Sequence, residues 1–197
     1  MEAVSQSISK LLRSGKRAKS LPEEPCRWFS LAEIKRATNN FDKDLLIFGG
    51  GFGNEYKGRI CIDDRTINVA IKRLSFRPRS CLDVFRNELQ LLCQLSHPNL
   101  VPLIGYCINE PEMILVNGSL SDRLFVTDSD SDPLQWKQRL QICIGVARGL
   151  YYLHTGVKHC IIHRDLKTRS ILLDEKWEAK LSDFRFSKMG PPSFFFG

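Results

Sequence analysis

Residues 161–184 read IIHRDLKTRSILLDEKWEAKLSDF. Ile161-Ile162, Ile171-Leu172-Leu173 and Ala179-Lys180-Leu181 are short apolar runs that read as strands around loops. Two of those loops carry the polar groups: His163-Arg164-Asp165-Leu166-Lys167 and Ser182-Asp183-Phe184. Upstream, Trp136 to Leu153 has the spacing of a long helix, with Leu140, Ile144, Ala147 and Tyr151 on one face. Before it, Leu120 to Phe125 reads as a short helix and Thr127–Asp132 as a polar loop.

The first half has a different texture. Ser30 with Glu33 three residues on forms a capping box, and Leu31, Ile34 and Ala37 follow at helical spacing until Asn39-Asn40. Leu45 to Phe48 reads as a strand entering the glycine cluster Gly49-Gly50-Gly51-Phe52-Gly53, and Glu55 to Ile60 as the returning strand. Asp63-Asp64 marks a turn, and Asn68 to Leu74 alternates as a further strand. Over 81–95 the period changes: Phe85, Leu89 and Leu92 give one apolar helical face, stopped by His97-Pro98-Asn99. Leu100 to Gly105 and Met113 to Val116 read as two more strands. The expected fold is α+β, with a sheet-rich front lobe and a helical rear lobe.

The chain has 197 residues, is 43% hydrophobic and 26% charged, and carries a net charge of +7. That is the composition of a folded domain and excludes wholesale disorder. No run approaches 18 apolar residues, and the first 20 lack the apolar stretch of a signal peptide. Seven scattered cysteines without a C-x-x-C argue against a disulfide framework or zinc site. Cys143, inside the helical pattern, is expected to be a small buried hydrophobe. Lys10, Arg13, Lys16, Arg17 and Lys19 give residues 1–27 the character of a basic flexible arm, suited to an anionic membrane surface. Nucleic acid is not an expected partner, because no aromatic interleaving accompanies the charge.

Three signals stand in a fixed order: the glycine cluster, Val69-Ala70-Ile71-Lys72 on a later strand, and the 163–167 and 182–184 loops, with helix 81–95 between. Together they resemble the protein-kinase signature set. The segments FSLAEIKRATNNFD, GGFGNEYKG, VAIKRL, PNLVPLIGYC and WKQRLQICIGVARGLYYLHTG narrow the resemblance to plant receptor-like kinases. The FERONIA-like (malectin-like) branch and its Pto-like relatives fit best. Similarity runs from Trp28 to Gly190, dividing the chain into the arm, a front lobe at 28–116, a partial rear lobe at 117–190 and an atypical tail at 191–197.

The resemblance implies a serine/threonine kinase domain using ATP and Mg²⁺, cytoplasmic and at the inner face of the plasma membrane. Its partners would be other receptor-like kinase domains or signalling proteins. Gly50, Gly51 and Gly53 would cradle phosphates with backbone N–H groups, and Lys72, held by Glu88, would bind the α/β-phosphates. Asp165 would accept the substrate hydroxyl proton, with Lys167 neutralising phosphate charge. Asp183 and Ser170 would face the metal.

Several residues depart from the family pattern. Phe48 stands in place of the first glycine of the loop, where it should restrict the turn. Glu55 replaces the valine on the adenine face. The segment between Val116 and Leu120 is shorter than the usual adenine-binding hinge. Ser170 replaces the metal-binding Asn, and Arg185 the glycine of Asp-Phe-Gly. The chain ends before the usual activation segment, which should leave the 136–153 helix short of packing partners, with Phe194-Phe195-Phe196 as an apolar candidate cover. These departures point to impaired catalysis and a pseudokinase-like interaction module; the alternative is an active ATP-dependent kinase.

Overall fold

The computed structural model describes residues 26–51, 53–74, 80–118, 134–174 and 176–192. The short helix at 120–125, the polar loop at 127–132, most of the basic arm and the Phe194–Phe196 end lie outside the described residues.

The front lobe is one six-stranded sheet. In chain order it contains β1 (Arg27–Trp28), β2 (Leu46–Gly50), β3 (Gly53–Ile62), β4 (Arg65–Leu74), β5 (Leu103–Asn109) and β6 (Glu112–Gly118), arranged β1-β5-β6-β4-β3-β2. Period-2 alternation divides the apolar residues between two faces. Ile60, Val69, Ile71, Ile114 and Val116 pack with Phe29 and Ile34 on one face. Leu74, Met113 and Leu115 pack with Phe85 and Leu89 on the other. Helix α1 (Leu31–Ala37) covers the first face and helix α2 (Ser80–Leu92) the second. β6 is central and buried along almost its whole length, matching its run of Met113-Ile114-Leu115-Val116.

The capping box expected at Ser30 is present. Glu33 N donates to Ser30 Oγ (3.2 Å), and Ser30 N donates to Glu33 Oε2 (2.8 Å). The segment assigned to a basic arm ends earlier than expected. Arg27 pairs with Gly105 in β5, and Cys26 lies against Cys93 at the end of α2, so both belong to the lobe. Gly105 permits this docking, because a Cβ there would stand 2.1 Å from the Arg27 carbonyl oxygen.

In the rear part, helix α3 (Trp136–Thr155) packs on β9 (Ala179–Leu181), which pairs with β8 (Ile171–Leu173). A second pair joins β7 (His159–Ile162) to β10 (Lys188–Pro192), a strand not legible in the sequence. The side of α3 that enters the core carries Gly145, Gly149 and Leu153. Asn99 seals the junction: its Nδ2 donates to Ala179 O (2.8 Å), and its own carbonyl accepts from Leu181 N (2.8 Å). The glycines let the helix come this close, since a Cβ on Gly149 would sit 2.9 Å from Asn99 O.

The apolar stripe read from the α3 sequence points the other way. Trp136 is 79% exposed, Leu140 50% and Tyr151 71%, and Ile144 is also exposed. Cys143 lies on this outward side, so its expected burial is corrected: the helix meets the core through Gly145, Gly149 and Leu153, flanked by Val146 and Leu150, and not through the stripe next to Cys143.

Candidate functional site

A cleft of about 1090 Å³ lies between the sheet and the 163–186 loops. β3 and β4 form its roof, through Glu55 and Lys72, which face each other in register. Lys72 is on the α2 face of the sheet because it shares parity with Leu74. Glu88 faces it because it lies on the same helical side as Phe85 and Leu89, all three buried. Lys72 Nζ donates to Glu88 Oε1 (2.7 Å) and Oε2 (2.8 Å). It also reaches across to Asp183 Oδ1 at 3.1 Å. Burial works against the lysine's charge, but the charges of Glu88 and Asp183 outweigh it and raise its pKa.

The glycine turn joins β2 to β3. Gly53 has φ of +139° and lies so close to Arg73 O that a Cβ would meet it at 2.2 Å, so this position requires glycine. Gly50 and Gly51 line the cleft without such a demand. The Phe48 ring lies against Gly50 and under the Arg169 guanidinium, 5.4 Å from the ring centroid, at the edge of the same cleft. Glu55 lines the roof. Its seclusion there raises its carboxyl pKa against the pull of Lys72.

The rear wall is built from local pairs. Lys167 Nζ donates to Asp165 Oδ2 at 2.5 Å. Asp183 adopts a left-handed backbone (φ 66°, ψ 58°), tolerable for aspartate. There Arg185 grips it as a fork: Nε donates to Oδ1 and Nη2 to Oδ2, both at 2.5 Å. Burial opposes ionisation of Asp183, but the Arg185 bonds and the charges of Lys72 and Arg185 bring its pKa down to about 2.

Magnesium does not fit this arrangement. Both Asp183 oxygens are engaged by cations. Ser170 is fully buried with its hydroxyl turned into the backbone: Oγ accepts from Lys167 N (2.9 Å) and donates toward Lys167 O (2.8 Å) and Asp165 O (3.2 Å). The expectation of a Ser170 metal ligand is corrected accordingly. Among the described residues, no group of three His, Cys, Asp or Glu side chains is placed to hold a metal ion. The nucleotide fits in part. The glycines and Lys72 face one cleft, yet the backbone entering the rear lobe is used within the sheet. Asn117 pairs with Ala70 and Leu103, and Gly118 N donates to Pro102 O (2.8 Å).

Two further residues at the cleft and its Asp183 loop escaped the sequence reading. Asn87, one position before Glu88, places Nδ2 against the carbonyls of Phe184 (3.3 Å), Arg185 (3.2 Å) and Ser187 (2.8 Å), fastening the Asp183 loop to α2. Asn117 lines the cleft and has a buried Oδ1 without a hydrogen-bond partner. A polar residue closing the apolar run of β6 was the available signal for it.

Residues 14–191 match the protein tyrosine and serine/threonine kinase family, and the chain belongs to it. Its relatives include the receptor-like protein kinases FERONIA, ANXUR2 and THESEUS 1 of Arabidopsis thaliana. FERONIA is 52% identical over 192 residues, covering 95% of this chain and 21% of FERONIA. ANXUR2 is 47% identical over 194 residues (96% and 22%), and THESEUS 1 51% over 170 residues (84% and 19%). The chain spans about a fifth of the length of these relatives. Among the described residues, no helix is long and apolar enough to cross a membrane.

Proposed function

We propose that this domain is a receptor-like serine/threonine kinase module whose phosphotransfer is impaired, acting as a signalling or interaction unit. The observation that carries this reading is the Asp183–Arg185 fork. In the family's chemistry the aspartate at this position holds magnesium against the phosphates, and catalysis is mainly positioning and charge neutralisation. An arginine on both carboxylate oxygens takes that position out of use. The inward Ser170 hydroxyl removes the second ligand.

A second reading, a working kinase, has its own support: Lys72–Glu88 is formed and Asp165 stands beside Lys167 in the same cleft. The two separate in one assay. Purified chain with radiolabelled ATP and Mg²⁺ should transfer no phosphate to itself or to a generic serine/threonine substrate. Transfer that disappears in Asp165→Asn would overturn the proposal and establish the second reading. Proposed partners are other receptor-like kinase domains or signalling proteins. The proposed setting is the cytoplasmic face of the plasma membrane, with the basic 1–25 segment contributing surface attraction.

A further inference from the structure

Arg185 does more than exclude a metal, because it brings a positive charge into the place a metal would hold. The fork to Asp183 is largely secluded, with both side chains 14% exposed. A guanidinium stays charged at any physiological pH. The Asp183 carboxylate is therefore neutralised by the chain itself, with Lys72 as the second cation. The loop is fixed as well: Asn87 holds the backbone of residues 184, 185 and 187 to α2. The surroundings match an anion. Gly50 and Gly51 open onto the cleft beside Lys72, Lys167 and Arg169, and seven basic side chains line it against four acidic ones. Three of those four, Glu88, Asp165 and Asp183, are paired with Lys72, Lys167 and Arg185, and the fourth, Glu55, is secluded in the roof, so the basic side chains of the lining still outnumber the acidic ones beyond these pairs.

We propose that this cleft binds the phosphate chain of a nucleoside triphosphate without a divalent cation, the Arg185 guanidinium supplying the charge that a metal would bring. This rests on reading the cleft as the family's nucleotide site. A phosphate chain free of metal carries more negative charge than its magnesium complex, so this cleft favours the free anion and Mg²⁺ competes with the protein for it. The phosphate chain carries most of the recognition, since the 113–118 backbone is committed to the sheet.

Calorimetric titration of the 197-residue chain with ATP and with inorganic tripolyphosphate, in excess EDTA and in millimolar MgCl₂, tests this. Both anions should bind in EDTA, within about tenfold of each other, and Mg²⁺ should weaken binding by about tenfold. Arg185→Gly should lose about tenfold or more in EDTA and recover with Mg²⁺. Arg185→Lys, which keeps the charge and not the fork, should retain metal-free binding and guards against a folding defect in the glycine variant. Binding only in Mg²⁺, ATP binding in EDTA without tripolyphosphate binding, or unchanged EDTA affinity in a folded Arg185→Gly would each overturn the proposal. Absence of any binding would also overturn it while leaving impaired phosphotransfer standing. Phosphate transfer from Mg-ATP would instead sink the impaired-kinase reading.

Discussion

The two walls of the cleft are held by different kinds of ion pair. On the front wall, Lys72 and Glu88 come from a strand and a helix, and their 2.7 Å contact exists only while α2 is docked on the sheet. On the rear wall, Asp165–Lys167 and Asp183–Arg185 join residues two apart on one loop. The front pair therefore reports the docking of two elements, whereas the rear pairs join near neighbours in sequence, with Asn87 holding the Asp183 loop in place. A single substitution such as Arg185 can create a local pair without moving an element, whereas the front pair needs two elements in place.

The largest expected effect comes from breaking the front wall. Lys72→Met leaves Glu88, which is 1% exposed, without its counter-charge, and should destabilise the fold by about 3–5 kcal/mol. The midpoint of urea unfolding measures this; a loss under about 1 kcal/mol would mean that the two walls do not differ in kind. The acid limb probes the rear wall. Asp183 has a pKa depressed from 3.8 to about 2, so its stabilisation is present above the ordinary value and is lost as pH falls toward 2. Unfolding scans across that window should show the loss, and Arg185→Met should remove most of this pH dependence.

A smaller effect of opposite sign belongs to Glu55. Its carboxyl pKa is raised, so the folded state favours the protonated form, and stability falls as pH rises past the ordinary glutamate value of 4.5. Glu55→Gln should raise the melting temperature at pH 7, and the difference should vanish below that value. The smallest effect is expected at Lys167, whose side chain is 39% exposed in its pair with Asp165. Lys167→Ala should change stability by less than about 1 kcal/mol in chemical denaturation.

Much of the front lobe was legible in residue order. Alternation over Asn68–Leu74 and helical spacing over 81–95 place Lys72 and Glu88 on facing elements, because strand parity and helix period determine side-chain direction. The rear wall was legible only as chemistry. The sequence shows an arginine two residues after Asp183, but the left-handed turn that brings both side chains together depends on tertiary support from Asn87 and His163. His163 Nε2 lies 2.9 Å from Ser182 O. Ser170 could be read as a weak ligand, yet its hydroxyl direction follows from the local turn at residues 167–170. Cys143 was misplaced because an apolar stripe alone does not say which side of a helix meets the core; in α3, Gly145 and Gly149 decide that.

The Asn87 contact gives the Arg185 fork one further property. A counter-ion built into the chain is never diluted, and no chelator can strip it, so its occupancy does not follow the ionic composition of its surroundings. Because Asn87 sits on α2 next to Glu88 and grips the carbonyls around Arg185, a shift of that helix would strain the front pair and the rear fork in the same movement. The helix that carries the front pair thus also anchors the loop that carries the rear fork.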